Sequence, residues 1–314
     1  MEHSARILIL GAGAVGLSLA AKLSRVADVV AVTREPYARV ISAQALSISG
    51  AWGSETVRFP CVSELKENED FDYILITSKS QDTEGICRQY QRQIGNSEVA
   101  SLQNGIGNEE TIATFSDRVI GGVVMTGFVR KGDREVHVTA NAGPMQLGRF
   151  PKGLDADVKG LADIMTRAGI PVETTDHIKG KLWSKNLINC SLNPLSAITG
   201  VTYGNLKEPD SWHIIDQIVR EIFAVVRAEG ITLQWGDPDA YLGYLNGALI
   251  PVMAGHRSSM LQDILHGHKT EIDYLNGAVV TAGNRLGIET PYNACLSDII
   301  RFKETTKGTG NFSR

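Results

Sequence analysis

The start of the chain constrains its fold more than any other stretch. An apolar run, Arg6-Ile7-Leu8-Ile9-Leu10, leads directly into Gly11-Ala12-Gly13-Ala14-Val15-Gly16, and Leu17 to Arg25 then carries apolar residues at helical spacing. A five-residue apolar run suits a strand buried on both faces of a parallel sheet. G-x-G-x-x-G between such a strand and a helix is a dinucleotide-binding fingerprint. Gly11 permits the tight turn, Gly13 lets the backbone approach a pyrophosphate, and Gly16 lets helix and strand pack closely. Ala12, Ala14 and Val15 complete the loop, and the helix N-terminus offers free N–H groups to the anion.

Further along, the pattern repeats the same alternation. Strands are predicted at Val29–Val32, Tyr73–Thr77, Val99–Leu102 and 170–174, with extended segments at Val119–Phe128 and Glu135–Leu147 and a hairpin region at 46–60. Helices are predicted at 82–93 and 155–168. Strands alternating with helices imply a parallel doubly wound sheet. After about residue 175 the text reads as helices only, over 177–193, 210–229, 238–248, 258–265, 270–286 and 292–304. The fold class expected is therefore α/β, an N-terminal Rossmann-type doubly wound sheet over 1–175 followed by an all-α domain over 176–314. The glycine-rich end, Lys307–Asn311, reads as a frayed tail.

Charge and cysteine usage narrow the function classes. Lys plus Arg number 31 against 35 Asp plus Glu, a net charge of −4, which argues against nucleic acid or an anionic membrane surface as partner. The uncharged stretch from Ile7 to Ala21 is shorter than the about 20 residues a span requires. Cys61, Cys87, Cys190 and Cys295 show no CxxC or zinc spacing, so no disulfide framework is expected and a reducing, cytoplasmic setting fits. A homodimer is compatible with the sequence.

The end of the second strand selects among dinucleotides. NAD-binding folds place an acid there for the ribose 2′-OH, and NADP-binding folds place an arginine near the 2′-phosphate. Here it reads Val32-Thr33-Arg34-Glu35. Arg34 favours NADPH, because guanidinium matches phosphate oxygens bidentately. Glu35 is the competing signal: it either faces away or binds a ribose.

A polar stripe marks the second domain. Lys185, Asn189 and Asn193 fall within about 80° of one another on one helix face. Their neighbours Leu182, Trp183, Leu187, Ile188 and Leu192 are apolar. Buried amides and an ammonium need partners, and a substrate carboxylate and carbonyl would serve; a single solvated face is the alternative. Lys181 lies one turn earlier, and the pattern does not choose between the lysines.

The stretch Lys181-Leu182-Trp183-Ser184-Lys185-Asn186-Leu187-Ile188-Asn189-Cys190-Ser191-Leu192-Asn193-Pro194-Leu195 resembles the signature helix of the ketopantoate reductases. Leu102-Gln103-Asn104-Gly105-Ile106-Gly107-Asn108 resembles that family's asparagine loop, and Thr77-Ser78-Lys79-Ser80-Gln81 its lysine-bearing loop. Ser258-Ser259-Met260-Leu261-Gln262-Asp263 and Thr270-Glu271-Ile272-Asp273-Tyr274-Leu275-Asn276-Gly277 resemble its two carboxyl-terminal motifs.

The resemblance implies NADPH-dependent reduction of 2-dehydropantoate to (R)-pantoate. It makes Lys185 the general acid and Glu271 the acidic partner that binds the substrate hydroxyl and orients Lys185. It gives Asn189, Asn193 and Ser258 the substrate's carboxylate and hydroxyl groups. It sets Asn104 against both nicotinamide and substrate, and Lys79 near the cofactor phosphate or ribose. No metal is implied. Local roles compete: Glu271 would suit any first helical turn, Thr270 an N-cap and Asn104-Gly105 a turn. Ser258-Ser259 would equally start a helix. The alternatives to this function are a reductase of another branched 2-keto acid, which pocket changes of ~1–3 kcal/mol could produce, and a non-catalytic NADP-binding sensor.

Overall fold

The computed structural model describes residues 4–66 and 69–306, so the expected frayed tail at Lys307–Asn311 lies outside the described residues. The chain divides into two compact units, one up to Lys179 and one from Gly180 onward.

In the first unit, strands β1 (Arg6–Leu10), β2 (Asp28–Val32), β3 (Leu46–Gly50), β4 (Glu55–Val57), β5 (Cys61–Val62), β6 (Tyr73–Ile76), β7 (Glu98–Ser101), β8 (Val119–Val123), β9 (Thr126–Gly132), β10 (Glu135–Asn141), β11 (Met145–Arg149) and β12 (Val172–Thr174) form two sheets. The larger has the order β12-β11-β8-β7-β6-β1-β2-β5, and the smaller β4-β3-β10-β9. β1 runs parallel to both β2 and β6, and chain order reverses between β1 and β6. That reversal is the switch point at which doubly wound sheets bind ligands.

The larger sheet is not wholly parallel, because β11 runs antiparallel to β8. The extended segment predicted over Val119–Phe128 breaks after Val123 and feeds different sheets on either side. The hairpin expected over 46–60 is the antiparallel pair β3–β4, and it joins β10 and β9, which lie some way along the chain.

Alternate residues of β1 serve opposite faces of the sheet. Ile7 and Ile9 enter one core cluster, with Leu17, Leu75 and Leu147, while Leu8 and Leu10 enter another, with Ile74, Ile76 and Ile94. Burying each such side chain contributes about 1.5–3 kcal/mol, which accounts for the unbroken apolar text of the strand.

Helices α1 (Ala14–Leu23), α2 (Glu35–Gln44), α3 (Thr83–Gln89), α4 (Gln91–Asn96), α5 (Asn108–Ala113) and α6 (Ala156–Arg167) belong to this unit. α2 and α5 carry no strong apolar stripe and were not anticipated. The helix expected over 82–93 is split at Tyr90, whose φ and ψ of −110° and 29° leave the helical region. Asp155 caps α6 by accepting the Val158 N–H at 3.0 Å.

The second unit is helical, with α7 (Ile178–Thr199), α8 (Pro209–Ala228), α9 (Pro238–Tyr244), α10 (Ile250–Val252), α11 (Ser259–Leu265), α12 (Asn276–Leu286) and α13 (Pro291–Thr305). A π-helical turn over Leu245–Leu249 joins α9 to α10, where one helix was expected. The helix expected over 270–286 is a 3-10 turn, Ile272–Tyr274, then α12, separated by Leu275 at φ −100° and ψ −103°.

α7 does not stop at residue 193 but continues through Pro194 to Thr199. Proline removes the N–H that would bond the carbonyl four residues earlier. That carbonyl, on Cys190, instead accepts from the Asn276 side-chain amide at 3.2 Å.

Candidate active site

Register builds the first half of the site. Leu10 lies opposite Val32 in β2 and Ile76 in β6, and Ile76 lies opposite Ser101 in β7. The segments that follow these four residues therefore emerge at one edge of the sheet. They carry Gly11, Arg34, Lys79 and Asn104.

The glycine loop is fitted to the protein at two positions and open at the third. Gly11 has φ +71°, and a Cβ on it would sit 2.3 Å from the Ser78 Cβ. A Cβ on Gly16 would meet the Thr77 hydroxyl at 2.3 Å. At Gly13 a Cβ would meet nothing closer than the Gly11 carbonyl at 4.0 Å. Packing within the chain therefore does not demand glycine at position 13, whereas close approach of a pyrophosphate does. Gly13 is the N-cap of α1, with no side-chain cap, so the first N–H groups of Ala14, Val15 and Gly16 remain for an anion. Ala12 is fixed by its N–H to the Val32 carbonyl at 2.9 Å. This cradle fits a dinucleotide.

At the end of β2, Arg34 is exposed and is the N-cap of α2. Its guanidinium lies over the Tyr37 ring, 5.8 Å from the centroid. Glu35 turns to its own helix, pairing with Arg39 at 3.1 Å. A hydrogen bond with Ser63 and the Arg39 contact hold the Glu35 carboxyl below its ordinary pKa. The competing signal at this strand end is thus absorbed locally. Arg130, on β9, stacks on the same Tyr37 ring at 3.7 Å; nothing local in the sequence pointed to it.

Lys79 is half-buried at the head of a 3-10 turn, Ser80–Asp82. Asn104 is half-buried and its main chain is pinned. The Ser80 hydroxyl and the Asn108 amide donate to its carbonyl at 2.7 and 2.9 Å. Gln103 Nε2 donates to the Ser78 carbonyl at 3.1 Å and to the Thr83 hydroxyl at 2.8 Å. Gly105 and Gly107, both at positive φ, shape the turn that follows.

The second half lies in the helical unit. Trp183, Leu187, Cys190 and Leu192 are buried along α7. On its polar face stand Lys185 and Asn189, both half-buried, and Asn193, buried. Desolvation pushes the Lys185 pKa down to about 8, while the negative charge of Glu271 acts against that shift. Glu271 is buried, at 7% exposure. It does not sit in the first turn of a long helix, as expected, but caps the short 3-10 turn. Its charge acts on Lys185, which separates this lysine from Lys181.

Asn193 is oriented by a partner that local pattern did not reveal, the Tyr203 hydroxyl, which donates to Asn193 Oδ1 at 2.5 Å. Asn189 makes no side-chain hydrogen bond among the described residues, so its amide is available. Ser258 is fully buried and caps α11, accepting the Leu261 N–H at 3.0 Å; its own hydroxyl donates to the Asn193 carbonyl at 3.4 Å. The local capping role is thus present, and the same side chain touches the main chain of Asn193. Thr270 accepts the Ile272 N–H at 3.3 Å.

A dinucleotide cradle in an α/β unit, with a lysine–carboxylate pair in a helical unit, defines a nicotinamide-type oxidoreductase. The chain belongs to the ketopantoate reductase family: the model "Ketopantoate reductase PanE/ApbA" matches residues 7–152 and its C-terminal counterpart residues 177–304. A 2-dehydropantoate 2-reductase of Aquifex aeolicus is 31% identical over 307 residues, covering 95% of this chain and 97% of that protein. One from Pyrococcus horikoshii is 30% identical over 305 residues, covering 96% and 99%. Among solved structures, a PanE/ApbA family ketopantoate reductase from Ralstonia eutropha superposes with a TM-score of 0.86 at 31% identity, covering 96% of this chain and 98% of that one. A D-mandelate dehydrogenase, solved with NADH and anilino(oxo)acetate, superposes with a TM-score of 0.87 at 27% identity and the same coverage.

Proposed function

We propose that this chain reduces 2-dehydropantoate to (R)-pantoate with NADPH, within pantothenate and coenzyme A synthesis. The observation that carries this reading is Lys185 on the amide-bearing face of α7, paired with Glu271 at the head of the 3-10 turn and with its pKa pushed down to about 8. Bound NADPH supplies a hydride to C2 of the keto acid. Hydride addition builds negative charge on the keto oxygen, and the Lys185 ammonium both stabilises that charge and donates the proton that makes the hydroxyl. A pKa near 8 keeps Lys185 protonated at neutral pH yet ready to release its proton. Glu271 holds the ammonium in place and accepts from the substrate hydroxyl. The amides of Asn189 and Asn193 donate to the carboxylate, with Ser258 fixing the Asn193 main chain.

In the α/β unit, Gly11 to Gly16 would cradle the pyrophosphate, Arg34 would pair with the 2′-phosphate, Lys79 would serve the phosphate or ribose, and Asn104 the nicotinamide. A cytoplasmic setting accords with four cysteines that are all free. Among the described residues no helix is long and apolar enough to cross a membrane.

The test mixes purified protein with 2-dehydropantoate and either NADPH or NADH and follows loss of the reduced nicotinamide absorbance. Oxidation of NADPH, with kcat/KM at least about tenfold above NADH, is expected, since one charged contact contributes about 1.5–3 kcal/mol. Oxidation of neither cofactor by folded protein would overturn the reading. The likeness to D-mandelate dehydrogenase carries a second reading, reduction of a different 2-keto acid. Higher kcat/KM on phenylglyoxylate, the keto acid of mandelate, would select it.

A further inference from the structure

Four arginines of this chain, Arg6, Arg149, Arg220 and Arg301, are each saturated by a pair of carboxylates. Several other arginines, Arg34 and Arg130 among them, pair with no carboxylate among the described residues; what sets these two apart is that both guanidiniums lie over one ring, that of Tyr37. They come from different elements. Arg34 caps α2 at the end of β2, and Arg130 arrives from β9 in the smaller sheet.

Arg130 is also held in position. Its Nε donates to the Gly132 carbonyl at 2.9 Å and its Nη2 to the Asp133 carbonyl at 2.5 Å. Stacking on Tyr37 at 3.7 Å fixes the plane of the guanidinium. Nη1 has no hydrogen-bond partner among the described residues. Burial and the nearby charge of Arg34 both lower the Arg130 pKa; the Asp133 charge, together with Tyr37 and Cys61, works the other way. Two cations gathered without a carboxylate pair, one of them half-buried and pre-oriented, form a site for a dianion.

We infer that Arg130 is a second, specificity-determining arginine for the cofactor 2′-phosphate, acting with Arg34 beside Tyr37. The inference rests on the NADPH reading above. It adds that discrimination against NADH is shared between the strand-end arginine and a residue about a hundred positions later. The phosphate would be met by both guanidiniums, Arg130 contributing its unused Nη1 and Arg34 its exposed fork.

Calorimetric binding of adenosine 2′,5′-bisphosphate and adenosine 5′-monophosphate tests this without turnover. The two probes differ only in the 2′-phosphate. The native protein is expected to bind the bisphosphate more tightly, and Arg130→Gln to weaken it by about 10-fold or more while changing the monophosphate less than about 3-fold. Arg130→Met, which keeps the apolar stem against Tyr37, serves as the second variant if glutamine disturbs the fold. Undiminished discrimination in these variants would overturn the role of Arg130 and leave the NADPH reading standing. No discrimination in the native protein would overturn the NADPH reading, and this inference with it.

Discussion

The lysine–carboxylate pair makes a pH prediction with a definite sign. As the proposed general acid, Lys185 must carry its proton to donate it, so kcat/KM for reduction is expected to fall as pH rises through about 8. The Glu271 charge works to hold that proton on. Glu271→Gln removes this support, so the falling limb should move to lower pH; a limb that moves to higher pH or stays fixed would show that Glu271 does not act on the acid. Linkage gives the same sign for stability. The unfolded chain keeps the proton to about 10.5 and the fold only to about 8, so raising pH through that window stabilises the fold at this site. At this scale the sequence was informative about chemistry and weaker about support. Lys185, Asn189 and Asn193 were legible because one helix face spaces them. Tyr203, which sets the Asn193 amide, and Arg130, which stacks on Tyr37, were not, because their partners are reached only after the chain turns back.

Elements were legible where a single period ran without interruption. β1, β2, β6 and α6 follow directly from apolar runs and the Asp155 cap. The misreadings share a cause: tertiary contacts override a local stop or supply a local break. Pro194 reads as the end of α7, yet the helix continues because Asn276, from α12, donates to the Cys190 carbonyl that proline leaves unpaired. Asn276 is fully buried and also donates to Asn293 at 2.9 Å. Asn276→Ala is therefore expected to cost about 1–3 kcal/mol, the penalty of buried groups left unsatisfied, read as a lower urea midpoint. Pro194→Ala restores an N–H to Cys190, so it should recover more stability in the Asn276→Ala background than in the native chain. Additive changes in the double-mutant cycle would show that the two residues are not coupled through that carbonyl.

The proposed roles divide between the two units. Every cofactor candidate, Gly11 to Gly16, Arg34, Lys79 and Asn104, lies before Lys179, and the proposed proton donor, Lys185, and its carboxylate, Glu271, lie after it. Lys185→Ala should accordingly lower kcat by about 10²–10⁴-fold and leave the NADPH Kd unchanged; equal losses in both would make Lys185 structural rather than catalytic. Gly13→Ala should give the opposite split. The residue has φ −88°, outside the left-handed region, and its added Cβ meets no protein atom closer than 4.0 Å, so the melting temperature of the free protein is expected to change little. NADPH at 100 times its Kd should stabilise the native protein by about 2.7 kcal/mol, a rise of several degrees in Tm, and Gly13→Ala should abolish most of that rise because its methyl occupies the space the pyrophosphate needs. Gly11→Ala is the contrast: at φ +71° and 2.3 Å from Ser78, it should lower the Tm of the free protein itself. If Gly13→Ala destabilised the free protein as much as Gly11→Ala does, the open space at position 13 would belong to the fold rather than to the cofactor.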